Sequence, residues 1–207
     1  KNIVGGNIKG GLNYNINEMH NLYANAGYYS KQPLFDAVYI NFGNTLNPDL
    51  KNETVIGTEI GYGFRSHFLS ANVNLYRTSW ADRFESASTV GTDGTRGVAN
   101  IYGVTQVHTG LEVDANAKLT DRFTLTGMFS VGNWVYQDNV TASFFDENQN
   151  PILRDGVPVT GTLQLDGVKV GDAAQLTASV GARYDIFNNW SIDGNYRYAD
   201  NLYAAYN

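Results

Sequence analysis

The sequence predicts an all-β chain: an antiparallel segment of a transmembrane β-barrel, about eight strands of a larger barrel. Three observations carry this. Apolar and polar residues alternate with a period of two along most of the chain. The connections between these runs are alternately short and long. Aromatic residues on the apolar phase gather beside the short connections.

The composition agrees. Charged residues are 16% of the 207, while Tyr, Phe and Trp number 14, 10 and 3. A typical soluble domain carries roughly 25% charge. The net charge of -6 speaks against nucleic acid, whose phosphates need a basic face. With no cysteine there is neither a disulfide framework nor a thiolate metal site. No apolar run reaches the ~18 residues of a spanning helix. The mean hydropathy of -0.31 has a soluble look, but an alternating barrel strand averages to the same value. The chain opens KNIVGGNIKGG, without the charged-then-apolar pattern of a signal peptide and without Met. It reads as a processed or partial chain.

The elements follow in order. Strands are expected near 8–16, 21–30, 53–65, 68–84, 101–118, 123–137, 172–186 and 190–203. In 53–65, Ile56, Ile60, Tyr62 and Phe64 oppose Glu59, Gly61, Gly63 and Arg65. In 68–84, Leu69, Ala71, Val73 and Leu75 oppose Ser70, Asn72 and Asn74. The clearest run is VTQVHTGLEVDANAKL, where Val107, Leu111, Val113 and Ala115 oppose Gln106, His108, Glu112 and Asp114. The last two strands set Leu176, Val180 and Tyr184 against Thr177 and Arg183, and Trp190, Ile192 and Tyr196 against Asp193 and Arg197. Several runs exceed the usual 5–6 residues and suit a tilted bilayer crossing of about 9–11 residues with some projection beyond it.

Four connections are short (NEMH, SH, TDR and NN) and three are long, near 31–52, 85–100 and 138–171. A soluble sandwich has no reason for this asymmetry. An outer-membrane barrel has one: tight periplasmic turns on one side and long extracellular loops on the other. Tyr14, Phe64, Phe123, Tyr184 and Trp190 lie near the short turns on the apolar phase, where a girdle would meet the lipid headgroups. If the short turns are periplasmic, both chain ends lie outside, and the segment belongs to a wider barrel rather than to a closed eight-stranded one.

The stretch NAGYYSKQPLFDAVY…NTLNPDLKNETVIGTEIGYGF, followed by LSANVNLYRTSWADRF, resembles the barrel of TonB-dependent outer-membrane receptors, with the pattern of the Bacteroidetes group. The matching residues are Tyr29, Ser30, Lys31 and Pro33, then Asn47, Pro48, Leu50, Lys51 and Glu53, then Glu59, Gly61 and Tyr62, then Leu75 to Asp82. Lys31 stands where the pattern has Arg. The resemblance implies that residues 1–207 are part of a C-terminal barrel domain of 22 strands, with the N-terminal plug domain and TonB box outside this chain. It implies no enzyme, but a porin-like transporter importing a scarce nutrient, driven by TonB, ExbB and ExbD. Siderophore, haem, vitamin, glycan and peptide ligands all fit, with a surface lipoprotein as a further partner and outer-membrane lipid around the barrel.

The expected ligand wall is the polar phase: Glu59, Arg65, Asn72, Asn74, His108, Glu112, Asp114, Arg183, Asp193 and Arg197. In the first long loop, Phe35, Tyr39 and Phe42 are expected to fold over the lumen or to touch a ligand or partner. His108, Glu112 and Asp114 share a face, but residues four apart on a strand are about 13 Å apart, so no metal site is expected. No Gly-x-Ser-x-Gly, phosphate-loop or HExxH motif occurs, and neither catalytic residues nor a cofactor are expected. The acid-rich stretch at 146–156 lacks the full calcium-loop cadence. Two alternatives remain: a small closed barrel serving as anchor or adhesin, and an outer-membrane hydrolase with a clustered dyad at the loop end.

Overall fold

The computed structural model describes residues 3–40, 43–44, 46–47, 49–91, 94–187 and 189–205. In chain order the elements are β1 (Gly6–Asn15), β2 (His20–Lys31), the one-turn helix α1 (Phe35–Val38), β3 (Glu53–Arg65), β4 (Leu69–Val90), β5 (Arg96–Lys118), β6 (Phe123–Gln137), β7 (Val140–Asp146), β8 (Leu153–Arg154), β9 (Val157–Pro158), β10 (Thr160–Leu163), β11 (Ala174–Phe187) and β12 (Trp190–Leu202). Eight of these form one antiparallel meander in the order β1-β2-β3-β4-β5-β6-β11-β12, and they coincide with the eight expected runs.

The pairing register puts like phases side by side. Leu12, Ala24, Ile60, Leu75, Leu111, Val131 and Leu176 stand in one row across seven strands. The next row toward the short turns holds Tyr14, Leu22, Tyr62, Val73, Val113, Phe129, Ala178 and Tyr198. A one-residue slip in any pair would turn a whole strand inside out, so this alternation specifies the register. On the apolar face large side chains stand exposed, among them Ile8, Leu12, Ile60, Leu75, Val180 and Ile192. A continuous apolar face of this extent exceeds what soluble monomers leave bare. It is the surface a lipid bilayer covers.

At one end the strands are joined by tight turns closed by short polar side chains. Asn17 Oδ1 accepts the N–H groups of Met19 and His20 at 2.9 and 3.0 Å. Ser66 Oγ accepts that of Leu69 at 3.1 Å, and Thr120 Oγ1 that of Phe123 at 3.0 Å. The aromatic band sits here on the apolar face, with Phe123 facing Tyr184, Phe187 facing Trp190, and Phe64 against the His20 ring at 5.0 Å. Tyr14 and Trp190 are largely exposed.

The opposite end is more ordered than the sequence suggested. The segment 85–100, expected as a long loop, instead continues β4 and β5 as a paired hairpin closed at Gly91 and Thr95. The alternation breaks there because the register shifts between Trp80 and Phe84, where Asp82 (φ 60°) and Gly103 (φ 75°) adopt left-handed backbone. Such a bulge bends a strand and re-aims its side chains. The expected loop 138–171 is also structured. β7 pairs with upper β5, β10 pairs with β7, and β8-β9 forms a small hairpin. Its Asp155-Gly156 turn has both φ values positive, at 52° and 78°, as a two-residue hairpin requires.

This arm contains a small core. Ala99, Ile101, Val104, Tyr136, Val140, Ala142, Leu165 and Val170 are buried together, with Trp134, Phe144 and Leu163 packed against them. Between the arm and β11 the chain runs beside β6 out of register with the strand that follows. The side chain of Gln175 fills the break: Oε1 accepts the Trp134 N–H at 2.9 Å, and Nε2 donates to the carbonyls of Trp134 and Val170 at 3.0 and 3.1 Å.

Among the described residues β1 pairs only with β2, and β12 only with β11. The eight strands do not close on themselves, which removes the small closed barrel from consideration.

Candidate functional site

The polar face is built from the alternate residues of the same strands. One row crosses it as Asn15, Asn21, Gly63, Asn72, Asp114, Met128, Ser179 and Arg197. The next toward the long loops runs Asn13, Tyr23, Gly61, Asn74, Glu112, Ser130 and Thr177. All ten expected wall residues lie on this face, but they fall into separate groups.

Glu59, Asn74 and Glu112 line a groove of about 680 Å³ together with Lys9, Asn25, Tyr29, Tyr76 and Thr78. Its floor follows from the sequence. The row Lys9, Gly27, Gly57, Thr78 crosses four strands with no side chain at its two central positions. Arg65 and Asn72 line a second pocket of about 340 Å³ near the short turns, among Asn13, Asn15, Asn17 and Asn21. Asn72 Nδ2 donates to Asp114 Oδ2 at 3.0 Å. Arg183, opposite Asp193 in the register, makes its ion pair with Asp185 at 3.0 Å. With Arg197 these residues stand on β11 and β12, away from the groove.

The sequence reading missed the aromatics of the polar face, because it followed aromatics only on the apolar phase. Four of them sit against glycines of the same face. Tyr23 covers Gly61 and Tyr76 covers Gly110, each pair directly opposed in the register; Tyr29 covers Gly27 and Trp134 covers Gly132, each two residues apart on one strand. A Cβ at any of the four glycines would meet ring atoms within 3.0 Å. Aromatic cover of this kind compensates for the packing a strand glycine lacks. Trp134 Nε1 donates to Tyr76 Oη at 2.9 Å, and the His108 ring stacks on Trp134 at 5.0 Å and 14°. His108 Nε2 is 3.3 Å from Gln106 Oε1. His108 is thus part of an aromatic shelf, not the base of a carboxylate dyad. Among the described residues no group of three or more His, Asp and Glu could hold a metal ion.

At the long-loop end the signature residues of the first loop serve as fasteners. Glu53 is buried and lies opposite Lys31; its Oε2 accepts from Lys31 Nζ at 2.8 Å and from Trp80 Nε1 at 2.9 Å. Lys31 and Arg83 both lie over the Trp80 ring, at 4.9 and 4.4 Å from its centroid. Asn47, 2% exposed, donates to the Ala37 carbonyl and accepts the Asp49 N–H, both at 2.9 Å. These bonds tie α1 and the loop behind it to the rim. Phe35 is exposed, and its ring lies 5.1 Å from that of Tyr39, tilted at 47°; Tyr39 is half-buried and bridges Leu46. Phe42 and Pro48 lie outside the described residues.

The family model for the TonB-dependent receptor-like β-barrel matches residues 6–207. The chain belongs to the TonB-dependent receptor β-barrel family. It is therefore a segment of an outer-membrane β-barrel, whose apolar face meets lipid and whose polar face lines the lumen. Among solved structures it is similar to a chain described as "Copper transporter OprC", at 15% identity and a TM-score of 0.50. That alignment covers 88% of this chain and 32% of the transporter, so the likeness is one of fold and the chain spans about a third of that protein's length. No curated protein sequence matches this chain.

Proposed function

We propose that the chain forms part of a TonB-dependent transporter that imports a scarce nutrient across the outer membrane. The ligand is a siderophore, haem, vitamin, glycan or peptide. The observation that carries this reading is the lumen groove, where Lys9, Asn25, Glu59, Asn74 and Glu112 converge beside aromatic rings on a wall of hydrogen-bonded strands. Polar groups on a rigid wall bind without an ordering cost. In this reading the long loops are extracellular and capture the ligand, and the wall holds it. A plug domain contributed by a region outside this chain is displaced by TonB, powered by ExbB and ExbD. Phe35 is exposed at the rim, against the half-buried Tyr39 ring, where a ligand or a surface lipoprotein would first make contact. The ten wall residues divide the work: Glu59, Asn74 and Glu112 at the groove, Arg65, Asn72 and Asp114 below it, His108 on its aromatic shelf, and Arg183, Asp193 and Arg197 along the adjoining wall.

The fold neighbour's copper does not carry over, because the likeness is one of fold alone. No catalytic role is assigned.

The test is uptake by the host bacterium with the full-length receptor deleted, restored, or restored in cells lacking functional TonB. Growth on one limiting nutrient should fail in the first and third strains and recover in the second. Equal growth of all three under iron, vitamin and glycan limitation would overturn the reading.

A further inference from the structure

We infer that the lumen groove selects a neutral, hydroxyl-rich, ring-shaped ligand, of which an oligosaccharide is the type, and rejects anionic ones. The inference rests on the transport reading and narrows it to a ligand class.

Three features point the same way. The first is shape. The groove crosses β1 to β4 over the bare backbone of Gly57, beside the Tyr29 ring that covers Gly27, and extends to Glu112 of β5. At Gly57 an added Cβ would meet nothing closer than Thr78 Oγ1 at 3.7 Å. No packing demand excludes a side chain there, so the bare floor leaves room for a ligand.

The second is the rings. Tyr29 and Tyr76 line the groove with their rings seated against Gly27 and Gly110. The close glycine seat restricts each ring, and Tyr76 is held further by the bond from Trp134. Fixed aromatic faces bind the apolar C–H faces of sugar rings with little loss of side-chain entropy.

The third is the polar lining. Neither Glu59 nor Glu112 has a hydrogen bond or ion pair among the described residues, so both present open acceptors to donor groups of a ligand. Asn74 accepts from the Tyr23 hydroxyl, which orients its amide and leaves the nitrogen to donate. Asn25 offers one donor group and one acceptor. Hydroxyls both donate and accept and match such a set. The charges that line the groove are Glu59, Glu112 and Lys9, with Asp114 one row below on the same face. Three carboxylates against one ammonium repel carboxylate- or catecholate-bearing ligands.

The experiment uses the full-length receptor in detergent or nanodiscs. It measures binding of three probe sets by calorimetry: neutral oligosaccharides, uronate-bearing oligosaccharides, and ferric catecholate chelates. Neutral oligosaccharides should bind, with the acidic ones at least tenfold weaker. Gly57→Phe should fill the groove and reduce neutral-sugar affinity at least tenfold while the barrel keeps its heat-modifiable migration. E59Q/E112Q should narrow the gap between neutral and acidic sugars. Preferred binding of the anionic probes, no binding of neutral sugars, or full sugar affinity in Gly57→Phe would overturn the inference. TonB-dependent growth on some other nutrient in the same strains would leave the transport reading standing, which separates the two failures.

Discussion

Glu53 shows what a single signature residue does. Its carboxylate is buried, and it holds a Lys31 ammonium that is itself partly exposed, together with the indole N–H of Trp80. Removing the acceptor strands the indole donor; removing the lysine leaves the carboxylate with Trp80 and some access to water. Glu53→Ala should therefore destabilise the barrel by about 1–3 kcal/mol, the usual cost of a buried group left unmade, and Lys31→Ala by less. Denaturant unfolding of the full-length barrel in detergent, followed by heat-modifiable migration, checks the order. Lys31→Arg, which restores the residue the family pattern has at this position, should be close to neutral. The sequence offered Lys31 and Glu53 only as parts of a pattern; their pairing needed the β2-β3 register. The glycines give a second contrast. A Cβ at Gly110 would lie 2.7 Å from the Val131 carbonyl oxygen, which is backbone and cannot swing away, as well as 2.5 Å from Tyr76 Oη. Gly110→Ala should cost roughly 1–3 kcal/mol, as overpacking does. Gly57→Ala should be neutral or stabilising by up to about 1 kcal/mol, because it only removes the entropy penalty of a strand glycine. Equal effects at the two sites in the same unfolding assay would sink the claim that one notch is filled and the other empty.

At the scale of elements, the arm formed by upper β5, β7 and β10 rests on its own core, separate from the alternating faces below it. Ile101 is 3% exposed at the centre of that core. Ile101→Ala should cost the arm about 2–5 kcal/mol, enough to open it locally while the spanning strands keep their pairing. Limited proteolysis of whole cells or proteoliposomes should then cut near the β7-β10 segment, with the barrel still heat-modifiable. Loss of the whole barrel instead would mean that the arm and wall fold as one unit. This division also explains what was legible in the sequence. The spanning strands were readable because lipid on one side and the lumen on the other impose strict alternation, and each run could be placed within a few residues. The arm was not. Past Asp82 and Gly103 the phase breaks, and the buried residues Ala99, Asn100 and Ile101 follow one another instead of alternating. The one local signal, Asp155-Gly156, marks a hairpin but not where it packs. The wall residues were legible as a phase, but their grouping was not. Glu59 joins Asn74 and Glu112, and Arg183 stands apart with Asp185, because strand order and register decide neighbours. Tyr29, Tyr76 and Trp134 were missed because an aromatic on the polar phase looks out of place until the glycine beneath it is seen.

For the whole molecule the decisive feature is the pair of bare edges. Among the described residues β1 and β12, 10 and 13 residues long, each have one neighbour and do not pair with each other. In water such an edge is solvated and invites aggregation. In a bilayer the unpaired N–H and C=O groups have no solvent, and each costs several kcal/mol. About ten such groups on each edge outweigh the 5–15 kcal/mol by which a protein is ordinarily stable. Within a full receptor the neighbouring strands satisfy both edges, and the apolar rows from Leu12 to Leu176 continue into a closed lipid-facing belt. Residues 1–207 expressed alone and refolded into detergent or lipid should therefore give aggregates or sheet-paired oligomers. The same residues within the full-length receptor should give a heat-modifiable monomer with protease-resistant strands. Adding the missing barrel strands as a separate polypeptide should rescue the fragment by pairing at β1 and β12, and cross-links from cysteines placed at Leu12 and Tyr196 to that polypeptide should report it. A monomeric, heat-modifiable barrel from the 207 residues alone would require β1 to pair with β12. That would return the small closed barrel and its anchoring role, and it would close the groove over Gly57 that the sugar inference needs open.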